Sequence, residues 1–147
     1  MKIGVLGAGQ LGRMLALAGY PLGLEFRFFD TVQDSPAGQM AELVVGKYDD
    51  EKALLEFAKG LDVITYEFEN VPVDAVKFLQ SFVPVYPPPQ ALEMAQDRLH
   101  EKTFFNQLGI PTPPFIDVKK QEDLFKLEFP CVLKTRRMGY DGKGQAV

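Results

Sequence analysis

The chain begins with a strand-like run, Lys2-Ile-Gly-Val-Leu6, followed at once by the glycine-rich sequence Gly7-Ala-Gly-Gln-Leu-Gly12. The first run is apolar, rich in β-forming residues and ended by glycine, so it predicts a buried strand. The glycines at 7, 9 and 12 form a G-x-G-x-x-G turn, which aims the N-terminus of the next helix at an anion. This opening predicts a Rossmann-like α/β fold.

The next segments complete the first β-α-β unit. Helical spacing of Leu11, Met14, Leu15 and Ala18 predicts a helix over 10–18 with these residues facing the core. A second strand is predicted over 24–29, and it ends in Asp30. An acid about 20 residues after the glycines is typical of NAD(P) binding. Taken alone, the motif leaves two interpretations open, an NAD(P) site and a tight structural turn.

Strand and helix patterns then alternate up to residue 86. Strands are predicted over 43–45 and 61–66, and helices over 51–58 and from Pro72 onward. A short run over 83–86 predicts an edge strand, because Pro84 cannot donate a hydrogen bond to a neighbouring strand. Such alternation predicts a parallel sheet with helices on both faces, so we expect a Rossmann-like domain over residues 1–88.

The triple proline at 87–89 is the best candidate boundary between domains. A connecting segment is expected over 89–110, with a helix from Asp97 to Leu108 whose cap is Asp97. Its inward residues are predicted to be Leu99, Phe104, Phe105 and Leu108. New architecture is expected over 111–147, with a helix over 121–127 and a buried strand over 129–133.

A basic, glycine-rich segment follows that last strand, Lys134-Thr-Arg-Arg-Met-Gly-Tyr-Asp-Gly-Lys-Gly-Gln145. Glycine lets the backbone come close to a ligand, and successive N–H groups in such a loop can bind phosphate oxygens. Lys134 is expected to leave the strand end with its ammonium free. The segment predicts a lid over a nucleoside triphosphate, and the alternative is a basic hairpin turn without a ligand.

Composition excludes several classes of protein. The chain has 147 residues and a formal net charge of −4, so a general nucleic-acid surface is not expected. One cysteine and one histidine exclude an internal disulfide framework and a thiolate–imidazole zinc site, and no metal ligands are assigned. No run is long enough for a membrane span, and the early glycines do not suit a signal peptide. We therefore expect a soluble, cytoplasmic protein without membrane or nucleic-acid partners.

Two acids, Glu67 and Glu69, directly follow the strand predicted over 61–66. Ligands of open parallel sheets bind outside the carboxyl ends of the strands. In an extended chain the two side chains share one face, where they would repel each other unless they met a cation, a metal or a polar ligand. A solvated loop is the alternative interpretation.

The glycine turn Gly7-Ala-Gly-Gln-Leu-Gly-Arg13, the stretch Thr65-Tyr-Glu-Phe-Glu-Asn-Val-Pro72 and the segment 134–145 together resemble the 5-(carboxyamino)imidazole ribonucleotide synthetases. These enzymes are ATP-grasp ligases of purine biosynthesis, and they are also grouped with lyases and decarboxylases as carboxylase ATPase subunits. The resemblance implies a Rossmann-like pre-ATP-grasp domain followed by the start of an ATP-grasp domain. It covers the whole chain, which looks like only the amino-terminal part of such an enzyme.

The resemblance also implies roles for particular residues. ATP-binding positions would be Arg98, Lys134, Gly139, Tyr140, Asp141, Gly142, Lys143, Gly144 and Gln145. Of these, Tyr140, Asp141 and Lys143 would be catalytic, near a carboxyphosphate intermediate. Substrate-binding positions would be Gln10, Leu11, Glu67 and Glu69, with Glu67 first at the amine of the substrate.

The implied reaction carboxylates 5-aminoimidazole ribonucleotide with bicarbonate and ATP. Mg²⁺ is implied as a cofactor, with ligands expected beyond Val147, so the isolated chain is expected to be inactive. A homodimer is implied for the full-length form. The alternatives are the cofactor domain of an NAD(P)-dependent oxidoreductase, based on the glycine turn and Asp30, and a non-catalytic folded fragment.

Overall fold

The described residues, 1–128, 130–139 and 142–147 of a computed structural model, divide into two units, Met1–Leu92 and Glu93–Val147. The first unit holds a sheet and its covering helices. In chain order its elements are β1 (Lys2–Leu6), α1 (Gln10–Gly19), a 3-10 helix (Tyr20–Leu22), β2 (Glu25–Asp30), β3 (Glu42–Val45), α2 (Glu51–Ala58), β4 (Val63–Tyr66) and α3 (Val73–Gln80). Helix α4 (Pro89–Ala95) runs across the division.

The sheet is wholly parallel, with the strand order β3-β2-β1-β4. Strand β1 lies in the middle, where Val5 pairs with Phe28 on one side and with Thr65 on the other. The predicted Rossmann-like α/β class is therefore confirmed. Strand order reverses between β1 and β4, which is the position where open parallel sheets bind ligands.

Alternate residues of the central strands build two separate cores, because successive side chains in a strand point to opposite faces. On one face Val5 and Phe28 pack with Ala16 of α1. On the other face Leu6 and Phe29 pack with α2 and α3. Both faces of the sheet are covered, as an all-parallel sheet requires.

The core-facing side of α1 differs from the prediction. Its buried residues are small: Gly12, Ala16 and Gly19. The large residues predicted to face inward are exposed, with Leu11 at 57% and Met14 at 62%. The helix lies so close to β2 that a Cβ on Gly19 would be 2.4 Å from the ring of Phe26. The small residues permit this close approach, so the large apolar residues face solvent.

The boundary region between the units also differs from the prediction. The run over 83–86 is not a strand but forms one parallel bridge, Ile64↔Val85, on the outer side of β4. The third proline of the expected break starts a helix, α4, in which Pro89 and Leu92 are buried. Proline suits the first turn of a helix because no hydrogen-bond partner for its missing N–H is needed there.

The second unit contains α5 (Arg98–Gln107), a 3-10 helix (Gln121–Lys126), and two short antiparallel strands, β5 (Leu133–Lys134) and β6 (Gln145–Ala146). The predicted α-helix over 121–127 is thus a 3-10 helix. It begins where the Asp123 carboxylate accepts hydrogen bonds from the amides of Lys119 and Lys120.

Two predictions of buried apolar residues in this unit are wrong. No residue of α5 is buried, and Phe104, Phe105 and Leu108 are each at least 37% exposed. The strand predicted as buried over 129–133 is instead β5, whose two residues are exposed, while Phe129 lies outside the described residues. The physical reason is that the described residues give α5 and the β5–β6 hairpin no buried apolar layer: every buried hydrophobic residue among them precedes residue 93.

Two substitutions in α1 test which side of the helix faces the core. Ala16→Leu should destabilise the first unit by about 1–3 kcal/mol, because it adds volume to a fully packed position. Met14→Gln should change stability by less than about 0.5 kcal/mol, because the side chain is exposed. Urea unfolding followed by far-UV circular dichroism measures both. A larger loss for Met14→Gln than for Ala16→Leu would show that the predicted face was correct.

Candidate functional site

The glycine turn between β1 and α1 stands at the carboxyl end of the central strand. Gly7 has a φ of 95°, which side-chain-bearing residues rarely adopt. A Cβ on Gly7 would lie 2.6 Å from Cγ of Glu67, so another chain segment already occupies the space beside the turn. Glycine is required here both for the backbone conformation and for this close approach.

The carboxylate of Glu67 closes the glycine turn. Its Oε1 accepts a hydrogen bond of 2.6 Å from the amide of Gly9, and its Oε2 accepts a short one from the amide of Gly12. Helix α1 has neither a side-chain cap of its own nor an acid in its first turn. Glu67 therefore supplies the negative charge that a helix N-terminus attracts. In dinucleotide-binding proteins that place belongs to a pyrophosphate.

Asp30 is also engaged with the backbone. Its Oδ2 accepts from the amide of Ala8 at 2.8 Å, and its Oδ1 accepts from the amides of Thr31 and Val32 at 2.6 and 3.2 Å. These three N–H donors hold the Asp30 carboxylate against the backbone of the turn at the end of β2. A free acid that binds a ribose hydroxyl, as in an NAD site, is not what the structure contains.

Tyr48 is a polar residue near this site that sequence reasoning missed. Its buried hydroxyl lies near the backbone of Gly7 but makes no hydrogen bond of good geometry with the described residues, while its ring contacts that of Phe29. Burial, and then the negative charges of Asp30 and Glu67, raise the pKa of Tyr48, so the phenol remains a neutral donor. The residue also lines a pocket of about 470 Å³ beside the N-termini of α2 and α3. The only signal in the sequence is its position after a strand.

The other predicted substrate-binding residues lie in different surroundings. Gln10 and Leu11 are exposed at the start of α1, next to the amides that hold Glu67. Glu69 is exposed as well, and the chain bends after Tyr66 instead of continuing as a strand. Glu67 and Glu69 therefore do not share one face. Side chains two positions apart share a face only in an extended chain, and this chain bends at 67–70.

The basic, glycine-rich segment forms a hairpin in the second unit. Lys134 pairs with Gln145 across β5 and β6, and the amide of Thr135 donates to the carbonyl of Gly144 at 2.7 Å. Gly142 and Gly144 have φ values of 79° and 69°. The Lys134 side chain is exposed and has no ion pair with the described part of the chain. The hairpin thus presents a free ammonium beside glycines whose backbone can approach an anion.

Residues 96–98 hold the first half of this segment. The Asp97 carboxylate binds the Arg136 guanidinium through contacts of 2.8–3.1 Å, and the amide of Arg98 donates to the carbonyl of Arg136 at 2.9 Å. Arg98 Nη2 donates to the carbonyl of Gly139 at 2.8 Å. Arg98 and Gly139, both predicted ATP-binding residues, are therefore brought together. Nearby, Arg137 donates a short hydrogen bond to Gln96.

Asp97 also caps α5, as the sequence predicts. Its Oδ1 accepts from the amides of Leu99 and His100 at 2.9 and 3.4 Å. Its ion pair with Arg136, 39 positions away, was missed because no spacing rule connects two such residues. Burial acts to raise the pKa of Asp97, but hydrogen bonds from Arg136 and from the two amides outweigh it and hold that pKa below its usual value.

Two of the three residues predicted to be catalytic, Tyr140 and Asp141, lie outside the described residues. The third, Lys143, belongs to the described part of the hairpin and is not without an interaction of its own.

The described residues contain no group of three or more His, Cys, Asp or Glu side chains that could hold a metal ion. A cluster that could hold Mg²⁺ without a bound phosphate is therefore missing from the described residues. Within the same residues, no helix is long and apolar enough to cross a membrane.

Comparison with known families matches the two parts of the chain separately. Residues 1–96 match the ribonucleotide synthetase preATP-grasp domain, and residues 103–147 match the ATP-grasp domain.

Comparison with individual proteins gives relatives that are longer than this chain. The N5-carboxyaminoimidazole ribonucleotide synthase of Pseudomonas aeruginosa is 52% identical over 151 residues, covering 100% of this chain and 42% of that protein. The N5-carboxyaminoimidazole ribonucleotide synthetase structure from Thermus thermophilus is 60% identical, with a TM-score of 0.88, over 98% of this chain and 39% of that one. The chain thus spans about two fifths of the length of these relatives.

A third comparison is with a complex that contains ligands. The N5-carboxyaminoimidazole synthase of Aspergillus clavatus, solved with ADP and 5-aminoimidazole ribonucleotide, is 29% identical. The match has a TM-score of 0.84 and covers 99% of this chain and 39% of that one.

Glu67→Gln tests the closing of the glycine turn. The amide side chain keeps one acceptor oxygen but turns an N–H₂ donor toward a backbone N–H, so one hydrogen bond to a charged group is lost. The expected loss of stability is about 1–3 kcal/mol in urea unfolding of the first unit. Glu69→Gln is the matched control and should stay within about 0.5 kcal/mol. Equal losses for the two variants would mean that Glu67 does not hold the turn.

Acid should weaken the second unit through Asp97. Because its pKa is lower in the folded chain than the unfolded value of about 3.9, its contribution is present above that value and is lost as pH falls through the folded pKa. Asp97→Asn should therefore reduce the loss of stability as the pH falls below about 4, measured by unfolding at a series of pH values on both sides of 4. A remaining slope is expected, since Asp123 also has a lowered pKa and Asp117 also faces Arg136. An unchanged slope in Asp97→Asn would contradict the assignment.

Proposed function

Because the chain belongs to the ribonucleotide synthetase preATP-grasp family, we propose that it supplies the amino-terminal part of an ATP-dependent ligase of purine biosynthesis. The reaction is the carboxylation of 5-aminoimidazole ribonucleotide by bicarbonate. The γ-phosphoryl group of ATP passes to bicarbonate, giving ADP and carboxyphosphate. The amine of the ribonucleotide then takes up the carboxyl group, and inorganic phosphate leaves together with the amine proton. Support comes from relatives named for this product and from one solved with ADP and that ribonucleotide.

One observation carries the choice of nucleotide site. The Glu67 carboxylate already occupies the amides of Gly9 and Gly12, where a dinucleotide would place its pyrophosphate. Phosphate groups are therefore expected to bind elsewhere, and the basic hairpin offers donors suited to them. The NAD(P)-dependent oxidoreductase alternative loses its support, because Asp30 is committed to three amides as well.

The hairpin residues take the nucleotide role in this proposal. The ammonium of Lys134, which is free of ion pairs within the described residues, acts as a fixed positive charge beside the phosphates. The amides of Gly142 and Gly144 are the backbone donors for phosphate oxygens in this proposal, and Lys143 adds positive charge. Phosphoryl transfer depends mainly on such positioning and charge neutralisation. Tyr140 and Asp141 are assigned to this role by the family pattern alone.

In this proposal Glu67 binds the amine of the ribonucleotide. Its carboxylate lies at the carboxyl end of the sheet, between β1 and β4, where open parallel sheets bind ligands. A carboxylate that already bridges two amides has further lone pairs for an amine N–H. Tyr48 supplies a buried donor in the same unit, and Gln10 and Leu11 border the turn.

Three further parts of the proposal rest on the family pattern. They are a requirement for Mg²⁺ with ATP, a homodimer and a cytoplasmic location. A chain with one free cysteine suits a reducing compartment. The exposed apolar residues of α1 give the first unit a surface that another protein chain would cover.

The proposal is tested in a chimera in which these 147 residues replace the matching 42% of the Pseudomonas aeruginosa relative. We expect ADP release that depends on bicarbonate and 5-aminoimidazole ribonucleotide. Lys134→Ala should lower turnover about 100- to 1000-fold, the usual cost of removing a preorganised charge at a reacting phosphate. Asp30→Ala is the matched control and should mainly lower thermal stability.

Two results would overturn the proposal. A chimera that folds but releases no ADP would favour a non-catalytic chain. Normal turnover in Lys134→Ala, together with NADH binding that Asp30→Ala abolishes, would restore the oxidoreductase interpretation.

A further inference from the structure

Four residues of the second unit, here called the Asp97 cluster, join the start of α5 to the hairpin: Asp97, Arg98, Arg136 and Gly139. Both contacts of Arg98 go to carbonyls of the hairpin segment, from its amide to Arg136 and from its guanidinium to Gly139. The carboxylate of Asp97 then binds the Arg136 side chain through Nε and Nη2. The hairpin is therefore attached to α5 at both ends of the stretch 136–139.

These contacts hold a stretch of backbone that contains an unfavourable conformation. Met138, between the two attachment points, has a φ of 61° and a side chain that is 69% exposed. A bulky residue seldom holds this left-handed conformation unless its surroundings impose it. The neighbouring Gly139 is tightly placed as well, since a Cβ there would meet Thr135 Oγ1 at 2.9 Å and Arg98 Nη2 at 3.3 Å.

The guanidinium of Arg98 is also held in an unfavourable environment. Its Nε is buried and has no hydrogen-bond partner among the described groups, while Nη2 is used by Gly139. A guanidinium normally satisfies its donors, so an unpaired buried one carries a desolvation cost that the surrounding structure has to offset. The Asp97–Arg136 ion pair, directly beside Arg98, holds the start of α5 against the hairpin segment.

We infer that Asp97 is a positioning residue for the nucleotide: it never contacts the phosphates, but through Arg136 it fixes the backbone of 136–139 and the direction of the Arg98 guanidinium. The inference rests on the proposed function, because it assigns to that nucleotide site a residue that sets its geometry. The preorganised donors cost less free energy to order when ATP binds.

The two roles of Asp97 can be separated by substitution. Asp97→Asn keeps a good helix cap but removes the charge that Arg136 needs. Arg136→Gln removes the same ion pair from the other side, together with the longer contact of Arg136 with Asp117 at 3.8 Å, and leaves the cap untouched. Arg136→Lys keeps the charge but not the two-point contact. Asp50→Asn is the matched control, because Asp50 caps α2 through the amides of Lys52 and Ala53 in the other unit.

The first measurement is hydrogen–deuterium exchange on the 147-residue chain. Asp97→Asn and Arg136→Gln should each raise exchange of the amides over 134–139 and of Arg98 by about 10-fold, and the double variant should add little. Exchange in the first unit should not change, and Asp50→Asn should leave 134–139 unaffected. Unchanged exchange over 134–139 in Asp97→Asn would overturn the inference.

The second measurement is ATP kinetics in the chimera. Both variants should raise the KM for ATP by about 10-fold while the KM for 5-aminoimidazole ribonucleotide stays within about twofold, and Arg136→Lys should restore part of the loss. Faster exchange with an unchanged KM for ATP would show that the cluster is only structural and would overturn the inference. A wild-type chimera without turnover would overturn the proposed function and this nucleotide role together, while the exchange data would still show whether Asp97 orders the hairpin.

Discussion

The hydrogen bonds from the Gly9 and Gly12 amides to the Glu67 carboxylate are the interaction on which the first unit depends. They neutralise the N-terminus of α1, join the end of β4 to the end of β1, and fill the space that glycine leaves open. A helix N-terminus left without an acceptor in a half-buried site would carry an appreciable desolvation cost. The same contact limits which ligands can bind there, because the Glu67 carboxylate occupies the amides that would otherwise bind an anionic ligand.

The glycines of the turn leave room for the Glu67 carboxylate as well as permitting the backbone conformation. A Cβ on Gly9 would lie 2.8 Å from Oε1 of Glu67, and one on Gly12 would lie 3.0 Å from its Oε2. The motif that in dinucleotide-binding proteins admits a pyrophosphate here admits a side chain from the same protein. The G-x-G-x-x-G motif is therefore compatible with a role other than cofactor binding when a side chain of the same protein, here Glu67, occupies its amides.

The two units are stabilised by different interactions. The first buries hydrophobic residues on both faces of its sheet, in two clusters that share no residue. In the second unit none of the described hydrophobic residues is buried, and order around the hairpin comes from charged and polar contacts such as Asp97 with Arg136. Such contacts are directional and specific, but each is worth little where it is open to solvent, and the Arg136 side chain is 44% exposed.

The sequence alone determined the order of strands and helices in the first unit, the parallel sheet, the glycine turn and the Asp97 cap, because these depend on local pattern and on backbone conformations that few residues allow. Tertiary structure decided which side of α1 faces the core, since the close approach at Gly12, Ala16 and Gly19 depends on Phe26 and Phe28 in another element. It also decided that Glu67 caps α1, across 55 positions, and that Asp97 pairs with Arg136, across 39. Both contacts join residues that no period or motif links, so their partners follow only from the way the chain folds back on itself.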